Sequence, residues 1–404
     1  MVIVLRTLLI AGLILPLFAR AHEGDTFRPF VSAGRYYDDN LFRLDRDGLI
    51  SFQGMSLKGP QADTYDVLQA GVNVDWHIER QQVIARLSKS RVTYSRFSTL
   101  NSDGSDNLLQ WNWQLGNYWS GQLSAAETVA QTSFSDLNAN AAINNLRTSR
   151  TYVASAYRQL HPRWQIGAGL TDYEIQNSLG SLSVNDFSER AADVDIAWTT
   201  PRGSSLKAQL RLANANFPNR QLIGFVTVDN SYTDNSISLT GNWPYSGLFS
   251  FQGNIGYEKR EHSTVSQRDY SGVIGNLTAN YFPTGKTVFS LNVYRRLDET
   301  NDFSSSYRLA TGVSLSGLMT FTSKLSLRGQ LTYEKADYLG DPGFFLFGAP
   351  VRRDSTPGAS LSLSYMPIDG AQIDLGVQSG QRNSSYNNLN YKFRLLFANV
   401  RMDF

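Results

Sequence analysis

The chain has 404 residues, with 37 Lys and Arg against 35 Asp and Glu, no Cys, 12% aromatic residues and only 18% charged ones. A net charge of +2 is too small to mark a polyanion partner, so no nucleic acid is expected to bind; the lack of Cys excludes disulfide scaffolds, thiol nucleophiles and Cys-held metals. The mean hydropathy of -0.30 shows a chain that is polar without being charged, with 32 Gly and 20 Tyr standing where Lys and Glu are usual.

The first element is the one long apolar run, Thr7 to Phe18, preceded by Arg6 and followed by the A-x-A cleavage pattern Ala19-Arg20-Ala21. It is shorter than the ~20 residues that span a bilayer, and it reads as a secretory signal peptide over residues 1–21. Removing 21 of the 404 residues leaves 383, a single domain over 22–404 that begins at His22.

From there on the apolar period is two, the signature of strands with one buried or lipid-facing side. Val72, Val74, Trp76 and Ile78 alternate with Asn73, Asp75 and His77; Leu109, Trp111, Trp113 and Leu115 alternate with Gln110, Asn112 and Gln114. The pattern recurs through Val194-Ile196-Trp198, Leu206-Ala208-Leu210-Leu212, Ile237-Leu239, Phe249 to Tyr257, Val273 to Tyr281, Phe289 to Val293, Leu325 to Tyr333, Ala359 to Tyr365 and Ile373 to Val377. Eighteen strands are predicted, starting near 27, 64, 82, 107, 119, 148, 164, 188, 204, 234, 248, 269, 287, 306, 323, 356, 371 and 391.

The connections alternate short and long. Short ones carry turn chemistry entered by an aromatic residue, as in Trp198 before Thr199-Thr200-Pro201-Arg202-Gly203 and Tyr365 before Pro367-Ile368-Asp369-Gly370. Long ones, such as Ala130 to Arg147, Asn214 to Thr233 and Ala336 to Ser355, are rich in Asn, Ser, Asp and Gly. Eight short turns and nine long loops leave the first and last strands antiparallel and able to close a ring. The fold class expected is all-β, a transmembrane antiparallel up-and-down β-barrel of 16–18 strands in the outer membrane of a Gram-negative bacterium. A plugged 22-stranded transporter does not fit in 383 residues.

Aromatic placement favours lipid outside this barrel. All seven Trp, at 76, 111, 113, 119, 164, 198 and 243, fall in or beside the short-turn ends, as an interfacial belt requires. The opposite faces supply candidate pore-lining residues: Asn73, Gln110, Asn112, Gln252, Asn254, Asn292 and Gln330, with Asp75, Arg86, Asp193, Asp195, Lys207, Arg211, Arg296, Arg328 and Asp374. Their mixed signs argue against a strong ion filter. The last strand carries Ala398, Val400, Met402 and Phe404 on one parity and Tyr391, Phe393, Leu395 and Phe397 on the other, so a bulge is predicted near Leu396. An alternating terminal strand ending in Phe404 resembles the sorting signature that outer-membrane barrels offer to their assembly machinery.

Catalytic chemistry is not indicated. The four His, at 22, 77, 161 and 262, have no metal-ligand spacing, and no hydrolase, P-loop or dinucleotide fingerprint occurs. No catalytic residue, metal or cofactor is therefore expected; His262, read as a loop residue near Glu258 and Ser263, is the one candidate base with an exterior setting.

One local feature remains, the rim motif Tyr37-Asp38-Asp39-Asn40 followed by Leu41-Phe42-Arg43. It reads either as a strand-end turn capped by Asp and Asn or as a contact for a cation or a sugar. The same residues in a secreted β-barrel of this length resemble the outer-membrane proteins of exopolysaccharide biosynthesis clusters linked to the exosortase/PEP-CTERM system. The resemblance implies a conduit for an extracellular polysaccharide, with the polymer and other export components as partners beside outer-membrane lipid. The alternatives are a general porin-like channel or a non-conducting scaffold of a secretion complex.

Overall fold

A computed structural model describes residues 25–135, 142–219, 221–223, 226–264, 266–299, 307–340 and 350–404. The expected signal peptide at residues 1–21 lies outside the described residues. The strands in chain order are β1 (Phe27–Asp38), β2 (Leu49–Phe52), β3 (Met55–Lys58), β4 (Asp63–Ile78), β5 (Gln81–Tyr94), β6 (Ser102–Leu115), β7 (Trp119–Gln131), β8 (Leu146–His161), β9 (Trp164–Asn177), β10 (Phe187–Thr199) and β11 (Ser205–Asn216). They continue with β12 (Gln221–Ile223), β13 (Val226–Val228), β14 (Tyr232–Pro244), β15 (Phe249–His262), β16 (Tyr270–Thr284), β17 (Thr287–Glu299), β18 (Tyr307–Thr322), β19 (Leu325–Leu339), β20 (Arg353–Tyr365), β21 (Ala371–Ser384) and β22 (Tyr391–Asp403).

Eighteen of these form one antiparallel sheet in which each strand pairs with its chain neighbours, and β22 returns to β1 to close the ring. Closure leaves no strand edge facing hydrocarbon, the condition a β-structure must meet to cross a bilayer. The other four strands make two small hairpins inside long loops, β2–β3 between β1 and β4, and β12–β13 between β11 and β14. Strand starts follow the hydropathy pattern closely. The largest departure is β6, expected near 107 and beginning at Ser102: its Ser102-Asp103-Gly104-Ser105-Asp106 looks like loop by composition, but β5 pairs with it back to Ser102.

The apolar face of every barrel strand points out. Leu109, Leu170, Ile237, Ile255, Leu277, Leu331 and Leu375 are exposed there, as lipid contact demands. The seven Trp sit at one end of this surface: Trp119 and Trp164 open β7 and β9, Trp198 and Trp243 stand one residue before the ends of β10 and β14, and Trp76, Trp111 and Trp113 lie in the last turns of β4 and β6. The turns at that end are tight. In the β10–β11 turn, Gly203 donates its N–H to the Thr200 carbonyl at 3.0 Å with a φ of 82°, a conformation that glycine reaches without a Cβ clash.

The bulge predicted near Leu396 is not present. Pairing of β22 runs unbroken from Met402 opposite Ala371 to Tyr391 opposite Arg382, and on its other side from Asp403 opposite Phe30 to Leu395 opposite Asp38. Both faces of β22 are apolar because Tyr391, Phe393, Leu395 and Phe397 face inward while Leu396 faces lipid. Glycines on β21 make room for them: a Cβ at Gly376 would fall 2.3 Å from Phe397 Cζ, and one at Gly380 would fall 2.4 Å from Phe393 Cε1.

Candidate channel lumen and mouth

Strand alternation places all sixteen candidate pore-lining side chains on the face opposite the lipid-facing one. Many are held by neighbours on the next strand. Gln82 donates to Asp75 at 2.8 Å, Asn112 donates to Gln82 at 3.0 Å and Gln110 donates to Asn112 at 2.9 Å, a chain of side-chain bonds across β4, β5 and β6. Gln209 donates to Asp193 at 3.0 Å, with Asp195 and Lys207 on the same wall of β10 and β11, and Arg211 pairs with Glu189. Asn292 donates to Thr278 at 2.8 Å, and Asn254 Oδ1 accepts the Asn276 N–H at 3.1 Å beside Gln252.

Some charges on this wall are matched and others are held by neutral donors. Arg296 reaches Asp298 at 2.9 Å and Glu334 at 3.0 Å, and Arg308 joins the same two carboxylates at 2.9 and 3.2 Å. Asp374 accepts from Ser364 at 2.5 Å and from Gln372 at 2.8 Å. Asn73 faces Arg86 across β4–β5, and Arg328 and Gln330 lie opposite Ser362 and Ser360 across β19–β20. Among the described residues Arg86 and Arg328 have no ion-pair partner, and neither do Lys207, Arg28 and Arg147 on the same face.

At the end away from the Trp belt, the β1–β4 loop folds into the mouth. Leu41, Phe42 and Ile50 are buried with Phe97 and Leu100 of the β5–β6 loop, and Phe42 meets Phe97 and Phe134 edge-on at 4.8 and 4.9 Å. Tyr65, Val92 and Tyr94, inner-face residues of β4 and β5, pack against this cluster, which fixes it inside the barrel wall. Burying each such aromatic or aliphatic side chain is worth ~1.5–3 kcal/mol, enough for a local core. Both described ends of the β7–β8 connection reach over the mouth as well: the Ser135 carbonyl accepts from Arg382 of β21 at 3.1 Å, and the Ala142 N–H donates to the Ser51 carbonyl of β2 at 2.9 Å. At the outer edge of the first loop, the Lys58 ammonium 2.8 Å from Asp47 holds that exposed carboxyl below the usual carboxylate range.

The rim motif is the root of this loop. Asp38, 2% exposed, accepts two bonds from Arg43 at 2.8 Å and one from the Asn40 N–H at 2.9 Å. The Asn40 amide donates to the carbonyls of Leu44 and Lys392, both at 2.8 Å, and Asp39 accepts the Arg394 N–H at 2.6 Å. The carboxylates are already engaged by protein donors, so the cluster serves the turn rather than a cation or a sugar. Tyr37 points the other way, exposed on the lipid side. His262 differs from expectation too. It is the last residue of β15, its side chain is 4% exposed, and it lies 3.5 Å from Asp269 and against Tyr232, not in an exterior loop. The sequence placed Glu258 beside it, but Glu258 pairs with Arg260 at 3.6 Å.

A closed antiparallel ring of eighteen strands, apolar outside, polar inside and belted with Trp at one end, is a transmembrane β-barrel of porin architecture, a protein of the Gram-negative outer membrane. Residues 247–404, the last eight barrel strands, match the family model described as "Putative beta-barrel porin 2". Similar solved structures include OccK1 (OpdK) of Pseudomonas aeruginosa, 10% identical with a TM-score of 0.51 over 94% of this chain and 99% of that one. OccK2 (OpdF) of the same organism is 12% identical with a TM-score of 0.50 over 93% of this chain and 98% of that one. At such identity the likeness concerns the fold. No curated protein matches the sequence. None of these comparisons bears on exopolysaccharide export.

Proposed function

We propose that this barrel is a porin-like channel that lets small polar solutes cross the outer membrane passively. The observation that carries this reading is the continuous polar wall, where side chains such as Gln82, Asn112, Gln209 and Asn292 are fixed by bonds to neighbouring strands around a ring too wide for side chains to fill. Those pre-set donors and acceptors replace part of a solute's hydration without a strong charge preference. The inward-folded first loop sets an upper size limit at the mouth. Purified barrel in planar bilayers tests the reading: discrete ohmic current steps are expected, and a protein that inserts without conducting is the scaffold instead.

A polysaccharide conduit is the second reading, favoured by the neutral wall and by the Tyr37–Arg43 resemblance, while the loops crossing the mouth oppose passage of a long chain. A clean deletion that leaves surface polymer unchanged counts against it. For assembly, Phe404 is the proposed contact with the barrel assembly machinery. In the folded barrel its backbone N–H donates to the Pro29 carbonyl at 2.8 Å, a bond that Phe404→Ala keeps, so a lower amount of that variant in the outer membrane would point to the lost aromatic side chain.

A further inference from the structure

The lipid-facing surface is not evenly filled. Between β17 and β21 it carries a groove of about 570 Å³ that runs obliquely from Thr287 and Met319, near the short turns, up to Ser379. Small residues open it: Gly317 faces Gly329 across β18–β19, and at the next position up the same face Ala359 faces Ser379 across β20–β21. The nearest atom to a Cβ at Gly329 would be Leu361 Cδ1 at 3.6 Å, so a side chain there would enter the groove without a backbone clash.

Cations stand where the groove ends. Ser379 is the register partner of Arg394, and Gln381 is the register partner of Lys392. At the other edge, Lys335 follows Leu331 and Tyr333 on the outward face of β19. Arg394, Lys392 and Lys335 are exposed and have no ion-pair partner among the described residues, whereas Arg353 of β20 lies 3.5 Å from Asp337. Asp39, across the seam, is engaged by the Arg394 backbone N–H at 2.6 Å. Ser355, Ser379 and Gln381 lie between these cations and offer neutral donors and acceptors. Outward cations on the far side of the barrel are matched instead: Arg150 sits 2.9 Å from Glu127 and 3.4 Å from Glu174, and Arg190 lies 3.0 Å from Asp172.

The long loops of an outer-membrane barrel face the cell exterior, so this groove rises into the exterior leaflet, where the lipid is a phosphorylated glycolipid. We propose that the groove and its cations bind one molecule of that glycolipid. An acyl chain lies along the groove, a headgroup phosphate meets Arg394 and Lys392, and sugar hydroxyls meet Ser379 and Gln381. A chain that fills a depression gains dispersion contacts that it lacks against a gap, and basic side chains at a membrane surface attract anionic headgroups. The neutral hydrogen-bonding side chains between the cations suit a sugar headgroup better than a glycerol one. The site faces lipid and does not depend on conduction through the lumen.

Native mass spectrometry of the full barrel in a non-ionic detergent tests the site, with bis-phosphorylated lipid A as the probe and phosphatidylglycerol as the competing phosphate lipid. One lipid A per barrel is expected. Its apparent affinity should fall about 25-fold when Arg394→Gln is combined with Lys392→Gln, roughly fivefold for each cation lost. It should fall about tenfold in Gly329→Leu, whose side chain takes the place of buried methylenes of the acyl chain. Arg190→Gln combined with Lys259→Gln removes two outward cations from other strands and should leave it unchanged. A heat-dependent gel shift shows that each variant is folded. Binding that is indifferent to the Arg394 and Lys392 substitutions or to Gly329→Leu overturns the proposal, as does an equal loss in the control pair. Phosphatidylglycerol held as tightly as lipid A, or a second copy of the barrel taking this surface in place of lipid, overturns it too.

Discussion

Arg43 grips Asp38 through two parallel bonds, Nη1 to Oδ1 and Nη2 to Oδ2, both 2.8 Å, and lies with its guanidinium 3.8 Å from the centre of the Phe393 ring. One side chain thus ties the first long loop to the end of β1 and to the inner face of β22. Breaking a buried pair by removing one partner costs ~3–5 kcal/mol, because the other charge stays behind without compensation. Arg43→Ala should therefore release the loop root, raising single-channel conductance and lowering the temperature at which the barrel loses its heat-sensitive gel mobility. Conductance equal to that of the unaltered protein would show that the loop is held by its Phe42 cluster alone.

The Trp belt predicts a depth. All seven indoles lie in the half of the lipid-facing surface toward the short turns, six of them within three residues of a strand end. In bilayers of brominated lipid, emission should be quenched more by bromines near the headgroups than by bromines at the acyl-chain ends. Stronger quenching from the chain ends would contradict the assignment of this end to an interface.

Neighbouring residues on β14 separate the two faces. Leu239 is exposed to lipid in mid-strand and Ser238 faces the lumen. Leu239→Arg should cost ~2–4 kcal/mol, the price of a cation near the bilayer midplane, while Ser238→Arg should fold with a cost below ~1 kcal/mol. Urea unfolding of barrels folded into vesicles reads the difference, and equal costs would mean that the facing is reversed or that the strand is not in lipid.

Ion selectivity follows from the pairing of the wall charges. Arg296 and Arg308 share Asp298 and Glu334, whereas Arg86 and Arg328 are among the inner-face cations that have no ion-pair partner in the described residues. In a salt gradient the reversal potential should be small, and the double variant Arg86→Glu with Arg328→Glu should move it clearly toward cations. An unchanged potential would place these two side chains away from the conducting path.

Local chemistry made much of this molecule legible. Val72 to Ile78 and Leu109 to Leu115 show period two because each strand has one face in lipid and one in water, and that requirement acts residue by residue with no need of distant partners. The Trp positions and the Pro-Gly turns are legible for the same reason. Loop 39–62 was not: Leu41, Phe42 and Ile50 are scattered in sequence, and only the approach of Phe97, Leu100 and Phe134 from two other loops turns them into a core.

The last strand shows the division most sharply. Its sequence displayed two apolar parities, and a strand with one wet face cannot carry both, so a bulge was the local solution. In the barrel the strand is straight, because Gly376 and Gly380 on β21 accept Phe397 and Phe393, and Tyr36 on β1 lies beside Phe397. The sequence by itself determined a closed membrane barrel, its strand spacing and which end meets the Trp-lined interface, since hydrophobic alternation and turn chemistry are properties of short segments. Only the tertiary structure decided that Asp38, Asn40 and Arg43 form a clasp, that the first loop enters the mouth and that Phe397, Tyr36 and Tyr65 stack in one row beneath it. Those outcomes depend on which strands become neighbours when the ring closes, and β1 meets β22 across nearly the whole length of the chain.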